Sequence, residues 1–561
     1  MTKRVFTTED FAAALHLPLQ KYLRGRKASA TTPQIPDEED PLDALFTDII
    51  QNGLTSISGP AQSAKVLVAG AGPAGLAAAY ELKRAGFEVA LFEASERTGG
   101  RVKTITAPFT PGLHGEGGAM RLPANHVLVH TYLDVFQLTD QLENFDQANK
   151  IIYLSTYGKT LTYDQFNALL IAQDPGLLAC FPGLLPGEKG QTIDQLWDAA
   201  VIPVVQAFDA VYQNNPANIA AAYAQITALY DQYSLQTYFE QVAGWSQDCI
   251  SLYDLGSPHV VLDNAFIESW KDAFRSSQSG GAEAGMMQMM QGMQQIPSAF
   301  LNPALPFSLK DDITYGARVV AANYTPSGGP GQRVSIDYQT KGGQTLTAWG
   351  DYVIFAVPFT TMRLLKTGTP FSVAKSNAIR ELRYVEVTKI LLQFKTRWWQ
   401  SYFSALGQGT DGGMVTDLPI RYTMFPAATS AQFANGQNRG VIMASYTFQQ
   451  DATETGAMPV EASVALAIDN LSTIFGADVV QSNVEVGTSQ VWSGDVFSGG
   501  SAFAYFAPMQ KTRLFSAMLQ PEWDGYAVFA GEHNSYTHGW IEGAFESALR
   551  TAYQIYYNQT H

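Results

Sequence analysis

The pattern of apolar and polar positions changes texture along this chain, and each change predicts a different kind of element. Lys65 to Ala69 is an apolar run of strand length. Leu76 to Ala85 continues as a helix until Gly86 stops it, and Phe87 to Phe92 is a second strand-like run ending at Glu93. Over 125–300 the apolar residues recur at helical spacing, clearest in Asn218 to Phe239 and Phe266 to Phe274, so this stretch is expected to be largely helical. From Ile313 onward short strands are expected: Arg333 to Gln339, Thr345 to Ala356 and Lys389 to Phe394. Asp524 to Phe529 reads as a further strand and Ile541 to Tyr557 as a closing helix. Ahead of these, Phe11 to Leu23 has the pattern of an amphipathic helix, and Thr31 to Pro41 is a linker rich in Pro, Asp and Glu. Gln278 to Gly285 is a Gly/Ser-rich break, and no repeat of solenoid period is visible.

At 561 residues the chain exceeds what one hydrophobic core supports, and 46% hydrophobic with 12% aromatic content supplies material for two or three cores. A net charge of −16 disfavours nucleic acid as a partner. Neither an apolar leader after Lys3 and Arg4 nor a long apolar run is present, so no membrane association and a cytoplasmic location are expected; a secreted, processed form also fits. Cys180 and Cys249 lack metal-type spacing, so neither a metal site nor a disulfide scaffold is expected.

The first strand, turn and helix carry the chemistry that is easiest to read. Gly70-Ala71-Gly72-Pro73-Ala74-Gly75 is G-x-G-x-x-G between a strand and a helix, with Glu93 closing the next strand. That is the dinucleotide fingerprint in full context: a tight turn, a close approach of pyrophosphate to a helix N-terminus, and an acid for ribose hydroxyls. Ala94 follows the acid, and Glu96-Arg97-Thr98-Gly99-Gly100-Arg101 adds a glycine pair and a cation, Arg101, beside the same pyrophosphate. The methionine run Met286 to Met293 lacks accompanying His or Cys and reads as adaptable packing rather than a copper site.

Farther on, Gly115-Glu116-Gly117-Gly118-Ala119-Met120-Arg121 places a cation in a glycine-rich, mostly apolar stretch, where it requires an anionic partner, either an internal carboxylate or a ligand. Near the C-terminus a strand runs into Gly531-Glu532, and Gly539-Trp540-Ile541 opens the last helix. His533 and His538 lie between them and read as structural.

These segments together resemble the L-amino acid oxidases of the flavin-containing amine oxidase superfamily, from about residue 60 to 555. Further pieces follow in the same order: Phe266 to Trp270, Gly292 to Pro297, Asp311 to Val320, Thr388 to Ile390, Gly412 to Pro426 and Trp492 to Pro508. The resemblance implies an α/β fold: an FAD-binding Rossmann-like (GR2-type) domain, a mixed-sheet substrate-binding domain and a helical insertion. The implied layout is an N-terminal extension packing on the substrate domain (1–60), FAD-binding parts at 61–120, 285–385 and 520–561, substrate-binding parts at 121–175 and 386–519, and the insertion at 176–284. FAD would be held by the fingerprint residues Gly70, Ala71, Gly72, Pro73, Ala74 and Gly75, by Glu93, Ala94 and Arg101, and by Gly118, Ala119, Met120, Arg121, Val319, Trp492, Gly531, Glu532, Gly539, Trp540 and Ile541. Both cysteines fall in the insertion, which excludes a thioether link near the C-terminal motif and makes the FAD noncovalent.

By the same resemblance Arg121 grips the substrate carboxylate, the Gly539 carbonyl accepts from the amine, Trp540 forms a wall and Lys389 holds a water near flavin N5. The venom branch carries a tyrosine pair where Met424 and Phe425 stand here. Tyr422 and Tyr536 are both candidates for the hydroxyl that assists Arg121, while Tyr422, Met424 and Phe425 are expected around the substrate. The implied reaction is oxidative deamination of L-α-amino acids, broad and favouring bulky neutral or aromatic side chains, by hydride transfer from Cα to flavin N5, giving 2-oxo acid, ammonia and hydrogen peroxide with O2 as acceptor. Selectivity for Arg and Lys, a decarboxylating monooxygenase, an amine oxidase and a non-catalytic flavin-binding protein are the alternatives, and a homodimer or higher homo-oligomer is the expected assembly.

Overall fold

A parallel sheet of five strands gathers segments from across the chain, in the order Ile313–Thr314, Glu88–Phe92, Lys65–Ala69, Tyr352–Phe355 and Ala527–Phe529. The computed structural model describes residues 40–58, 64–146, 148–257, 261–270, 285–427 and 438–560. The expected helix at Phe11 to Leu23, most of the linker and most of the break at Gln278 to Gly285 lie outside them. The strands are short and mostly apolar because both faces of the sheet are covered, one by helices and the other by the strands that carry Val334, Ile336 and Tyr338. Pro73–Arg84 and the long closing helix Ile541–Thr560 pack together against one face, where Leu76, Phe545 and Leu549 join a buried cluster. Helix Asp40–Asn52 adds Phe46, Ile49 and Ile50 to that same cluster. The described part of the N-terminal extension therefore packs on the dinucleotide side, not on the substrate sheet as expected, because its i, i+3, i+4 apolar stripe matches the helices there.

The second large sheet is mixed and has seven strands: Val484–Val491, Val387–Phe394, Gly440–Phe448, Tyr422–Phe425, Gly412–Thr416, Asn149–Leu154 and Lys159–Thr162. All neighbours run antiparallel except Gly412–Thr416 beside Asn149–Leu154. The last two strands interrupt the largely helical stretch expected over 125–300. Ile151-Ile152-Tyr153-Leu154 is β-branched and aromatic, and Gly158 at φ +67° turns it into a hairpin. One expected strand, Thr345 to Ala356, is two: Thr345–Gly350 pairs antiparallel with Val334–Gln339 in a four-stranded mixed sheet, and Tyr352–Phe355 belongs to the parallel one. The Asp351 carboxylate between them accepts from Lys65 N at 2.9 Å and Gly331 N at 2.6 Å, pinning the crossover.

Helices Ile193–Tyr212, Ile219–Tyr230 and Gln247–Gly256 form the insertion, with capping boxes at Thr192 and Ser234. The helical stretch Phe266–Trp270 returns the chain toward the C-terminal motif. The methionine run forms the strand Met286–Met289, pairs with Leu122 and Pro123, and buries Met289 and Met293 in the cluster under the dinucleotide sheet. No helix among the described residues is long and apolar enough to cross a membrane.

Candidate active site

The fingerprint turn is built by backbone geometry. Gly70 has φ +101°, and a Cβ there would lie 2.8 Å from the Ala356 carbonyl oxygen. Gly75 is more constrained: its Cβ would sit 2.1 Å from the Gly70 oxygen, so the helix can approach the turn only without a side chain. Gly72 is the opposite case. Nothing of the chain lies within 4 Å of its Cβ position, which leaves open space at the N-terminus of Pro73–Arg84, where a pyrophosphate fits. Ala71 N and Ser95 N each donate to the Glu93 carboxylate at 2.9 Å, and Ser95 Oγ adds a third bond, so the acid is fixed in place with lone pairs left for ribose hydroxyls. Ala94 is half-buried between Glu93 and Ser95, and Ala74 is buried in the helix. Ala317 N bonds the Glu93 carbonyl at 2.8 Å, which starts the strand carrying half-buried Val319 beside this acid.

Arg101 does not extend freely toward the turn. It pairs with Glu532, and it bonds the Ala502 carbonyl at 3.1 Å. Glu532 in turn accepts from Gly539 N at 3.0 Å and from Ala504 N, so one carboxylate joins the fingerprint region to the C-terminal motif. Gly531, at φ +141°, is held by Ser547 Oγ, and Ile541 is buried at the start of the last helix.

Arg121 leads into the small strand Leu122–Pro123. Its Nε is buried without a hydrogen-bond partner, and its guanidinium carbon lies 5.8 Å from the Trp540 ring centroid. Trp540 is itself set edge-on against His126 at 5.0 Å. Lys389 projects from the substrate sheet into the same space. Its Nζ donates to the Gly118 carbonyl at 2.7 Å and the Glu116 carbonyl at 3.3 Å, lies 3.7 Å from Met120 Sδ, and sits 4.6 Å from the Tyr446 ring centroid. Burial pulls the ammonium down to about 7; Glu116 opposes that shift and Arg121 adds to it. Burial raises the Glu116 carboxyl to about 7, against its bonds from Met293 N and Thr104 and the attraction of Lys389. Trp492 Nε1 donates to the Gly117 carbonyl at 2.8 Å, tying the Arg121 segment to the sheet behind it. Gly118 and Ala119 are backbone participants: Ala119 N bonds the Arg101 carbonyl.

The structure separates the expected substrate residues. Tyr422 and Met424 face Arg121 and Met120, whereas Phe425 is fully buried on the opposite face against Trp398, Trp399, Phe403 and Phe475. Neighbouring residues of a strand point to opposite faces, so Met424 and Phe425 cannot both line one pocket. Tyr536 packs on Phe515, while the ionisation of Tyr422 is opposed by burial and aided by Arg121. Sequence reasoning missed Tyr446, directly opposite Lys389, whose hydroxyl is likewise raised by burial and lowered by Arg121. Strict alternation along Gly440–Phe448 would place Tyr446 with Ile442 and Ala444 on the far face. The irregular pairing at Ile390/Leu391 opposite Ser445 and Met443 reverses that parity. Beyond Met120 lies a pocket, partly open to solvent, lined by Glu116, Met120, Leu391, Met424 and Met443 among others.

The sequence profile of the family described as "Flavin containing amine oxidoreductase" matches residues 73–556. "Putative L-amino-acid oxidase YobN" of Bacillus subtilis (strain 168) is 33% identical over 524 residues, spanning 92% of this chain and 99% of that protein. "L-amino-acid oxidase BmooLAAO-I" of Bothrops moojeni is 28% identical over 533 residues, spanning 92% and 95%. Among solved structures, putrescine oxidase bound to putrescine superposes with a TM-score of 0.62 at 18% identity, covering 88% of this chain and 99% of that one. Cyclohexylamine oxidase from Brevibacterium oxydans IH-35A superposes with a TM-score of 0.62 at 15% identity, covering 88% and 98%. At such identities the solved structures speak for the fold alone.

Proposed function

The chain belongs to the flavin-containing amine oxidoreductase family, and on that premise we propose that it oxidises L-α-amino acids to 2-oxo acid, ammonia and hydrogen peroxide, with noncovalent FAD as cofactor and O2 as acceptor. The observation that carries this reading is Arg121: a guanidinium with a buried, unpartnered Nε, beside Trp540, and close enough to Tyr422, Tyr446 and Lys389 to bias their ionisation. A substrate carboxylate supplies the missing anion, and the forked guanidinium holds it in a fixed orientation. FAD fits the fingerprint, since the open face of Gly72 and the fixed Glu93 suit a pyrophosphate and a ribose.

In this reading Arg121 and the Tyr446 hydroxyl hold the carboxylate, and the Gly539 carbonyl accepts from the amine. Trp540 closes one side. With Cα so fixed, orientation replaces a large part of the entropic barrier. The bound flavin supplies the two-electron acceptor. Lys389, poised near neutrality, holds a proton or a water at Nζ. Tyr422, Met424 and Trp540 make apolar walls that favour bulky neutral or aromatic side chains. Asp254 and Glu268, acids of the insertion region, are engaged with Arg421 and His538, which weighs against recognition of basic side chains. An amine oxidase leaves Arg121 without a role.

The test is anaerobic mixing of the flavin-loaded enzyme with L-phenylalanine and then D-phenylalanine. Bleaching by the L form alone, with peroxide formed on admitting air, is expected. Arg121→Ala should keep its flavin while kcat/KM falls by about tenfold to 150-fold, the value of a charge-assisted hydrogen bond. Unchanged turnover in that variant removes Arg121 from the site. Release of CO2 and an amide identifies a monooxygenase instead.

A further inference from the structure

The turn that carries Gly539 is fastened from two directions. On the flavin side, Gly539 N donates to Glu532 and Tyr536 N donates to Glu546, both at about 3 Å. On the other side, the His538 ring joins the turn to the helical insertion. His538 Nδ1 lies 3.0 Å from Glu268 Oε2, and its Nε2 lies 3.2 Å from the His533 carbonyl oxygen. The ring is buried, 5% exposed, and packs edge-on against Phe506 at 4.7 Å. Glu268 stands on the helical stretch Phe266–Trp270 at the end of the insertion, and Ala265 N, just before it, bonds the Phe506 carbonyl at 2.7 Å.

The proton count follows from the partners. A backbone carbonyl can only accept, so Nε2 carries a hydrogen. Nδ1 then faces a carboxylate across 3.0 Å, which requires one proton between them. The bridge is electrically neutral in sum, whichever partner holds that proton, and this is the form in which a buried acid and base are tolerated.

We propose that the His538–Glu268 bridge is a positioning device for amine recognition: from the helical insertion it fixes the turn that presents the Gly539 carbonyl to the substrate amine. It acts through Gly539 and does not touch substrate. Arg121, which takes the carboxylate, stands on a different segment and meets this turn through the Trp540 ring, 5.8 Å from its guanidinium carbon, so a carboxylate alone should feel the bridge less than an amine does. The inference rests on the role given to Gly539 above.

The experiment measures binding to the flavin-loaded enzyme of L-phenylalanine, from the concentration dependence of anaerobic flavin reduction, and of 3-phenylpropanoate, its amine-free analogue, from perturbation of the flavin absorbance. Glu268→Ala is expected to weaken L-phenylalanine by about tenfold or more, as misplacement of one positioned acceptor does, and 3-phenylpropanoate by less than about twofold. Glu268→Gln is expected to restore the wild-type values, because its amide N–H donates to Nδ1 while Nε2 keeps its bond to His533. His538→Phe keeps the packing on Phe506, loses both bonds and should reproduce the split, which covers the case of a Glu268→Ala protein that does not fold. Equal weakening of both ligands, wild-type binding in Glu268→Ala, or no rescue by Glu268→Gln overturns the proposal. A wild-type enzyme that L-phenylalanine does not reduce overturns the reading of Gly539, and the proposal with it.

Discussion

The cofactor end and the substrate end of this molecule are stabilised in different ways. Around the fingerprint turn the decisive contacts involve the backbone of nearby residues: Gly75 against Gly70, and Ala71 N and Ser95 N donating to the Glu93 carboxylate. Around Arg121 the decisive contacts come from far apart in sequence. Lys389 reaches the Gly118 carbonyl and Trp492 reaches the Gly117 carbonyl. In the proposed reading the first region is an anion site prepared by geometry. The second holds a buried guanidinium whose Nε has no partner, and the proposed charged ligand would supply one.

The sharpest way to break this contrast uses two glycines three residues apart. Gly75→Ala forces a Cβ onto the Gly70 oxygen at 2.1 Å, so the turn must open. Loss of stable flavin binding, a weakening of more than about 100-fold, is expected together with a lower melting temperature of the flavin-free protein. At Gly72 a Cβ meets nothing of the chain. Gly72→Ala should therefore leave the flavin-free protein unchanged in melting temperature while still weakening flavin. Equal destabilisation by both substitutions would show that the open face at Gly72 is not the cofactor cradle.

The same contrast explains what was legible in the sequence. The strand, turn, helix and acid from Lys65 to Glu93 are one local unit, so hydrophobic period and glycine spacing suffice to read it. Arg121 also stood out, because a lone cation in a glycine-rich apolar stretch requires a partner. Tyr446 did not, because its orientation depends on an irregularity in strand pairing that no period-two pattern contains. Phe425 was assigned to the pocket by analogy with a tyrosine pair, although alternation alone allowed only one of Met424 and Phe425 there. The hairpin Asn149–Thr162 was hidden within a helical stretch, yet its β-branched run and Gly158 carried the signal.

Lys389 offers a smaller and more graded effect. Its folded-state value of about 7 lies below the ordinary 10.5, so below pH 7 both folded and unfolded chains carry the charge and the full cost of burying it falls on the folded state. Between pH 7 and 10.5 the unfolded chain binds the extra proton, stability rises with pH, and the cost disappears. Lys389→Met should accordingly raise the melting temperature relative to wild type more at about pH 6 than at about pH 10, by at most a few kcal/mol in stability. The loss of the bond to Gly118 subtracts a pH-independent amount. A difference that is flat with pH would mean that Lys389 is not buried as a titrating group.

The smallest effect on catalysis is expected at Phe425, and its smallness is informative. The strand Tyr422–Phe425 is held in register by Gly412 opposite Phe425, Gly413 opposite Met424 and Met424 opposite Met443. That register sends Met424 toward Met120 and Phe425 into the aromatic cluster with Phe403, whose ring centroid is 5.3 Å away. A slip of one residue would exchange the two faces entirely. Phe425→Tyr puts a hydroxyl into that apolar cluster and should cost about 1–3 kcal/mol of stability. It should change KM for L-phenylalanine by less than about twofold, since the new hydroxyl cannot reach Arg121 through the sheet. A clear drop in KM would place Phe425 on the substrate side and restore the tyrosine-pair analogy; an unchanged KM with a lowered melting temperature leaves the carboxylate to Arg121 and to Tyr446, the tyrosine that the sheet irregularity turns to the near face.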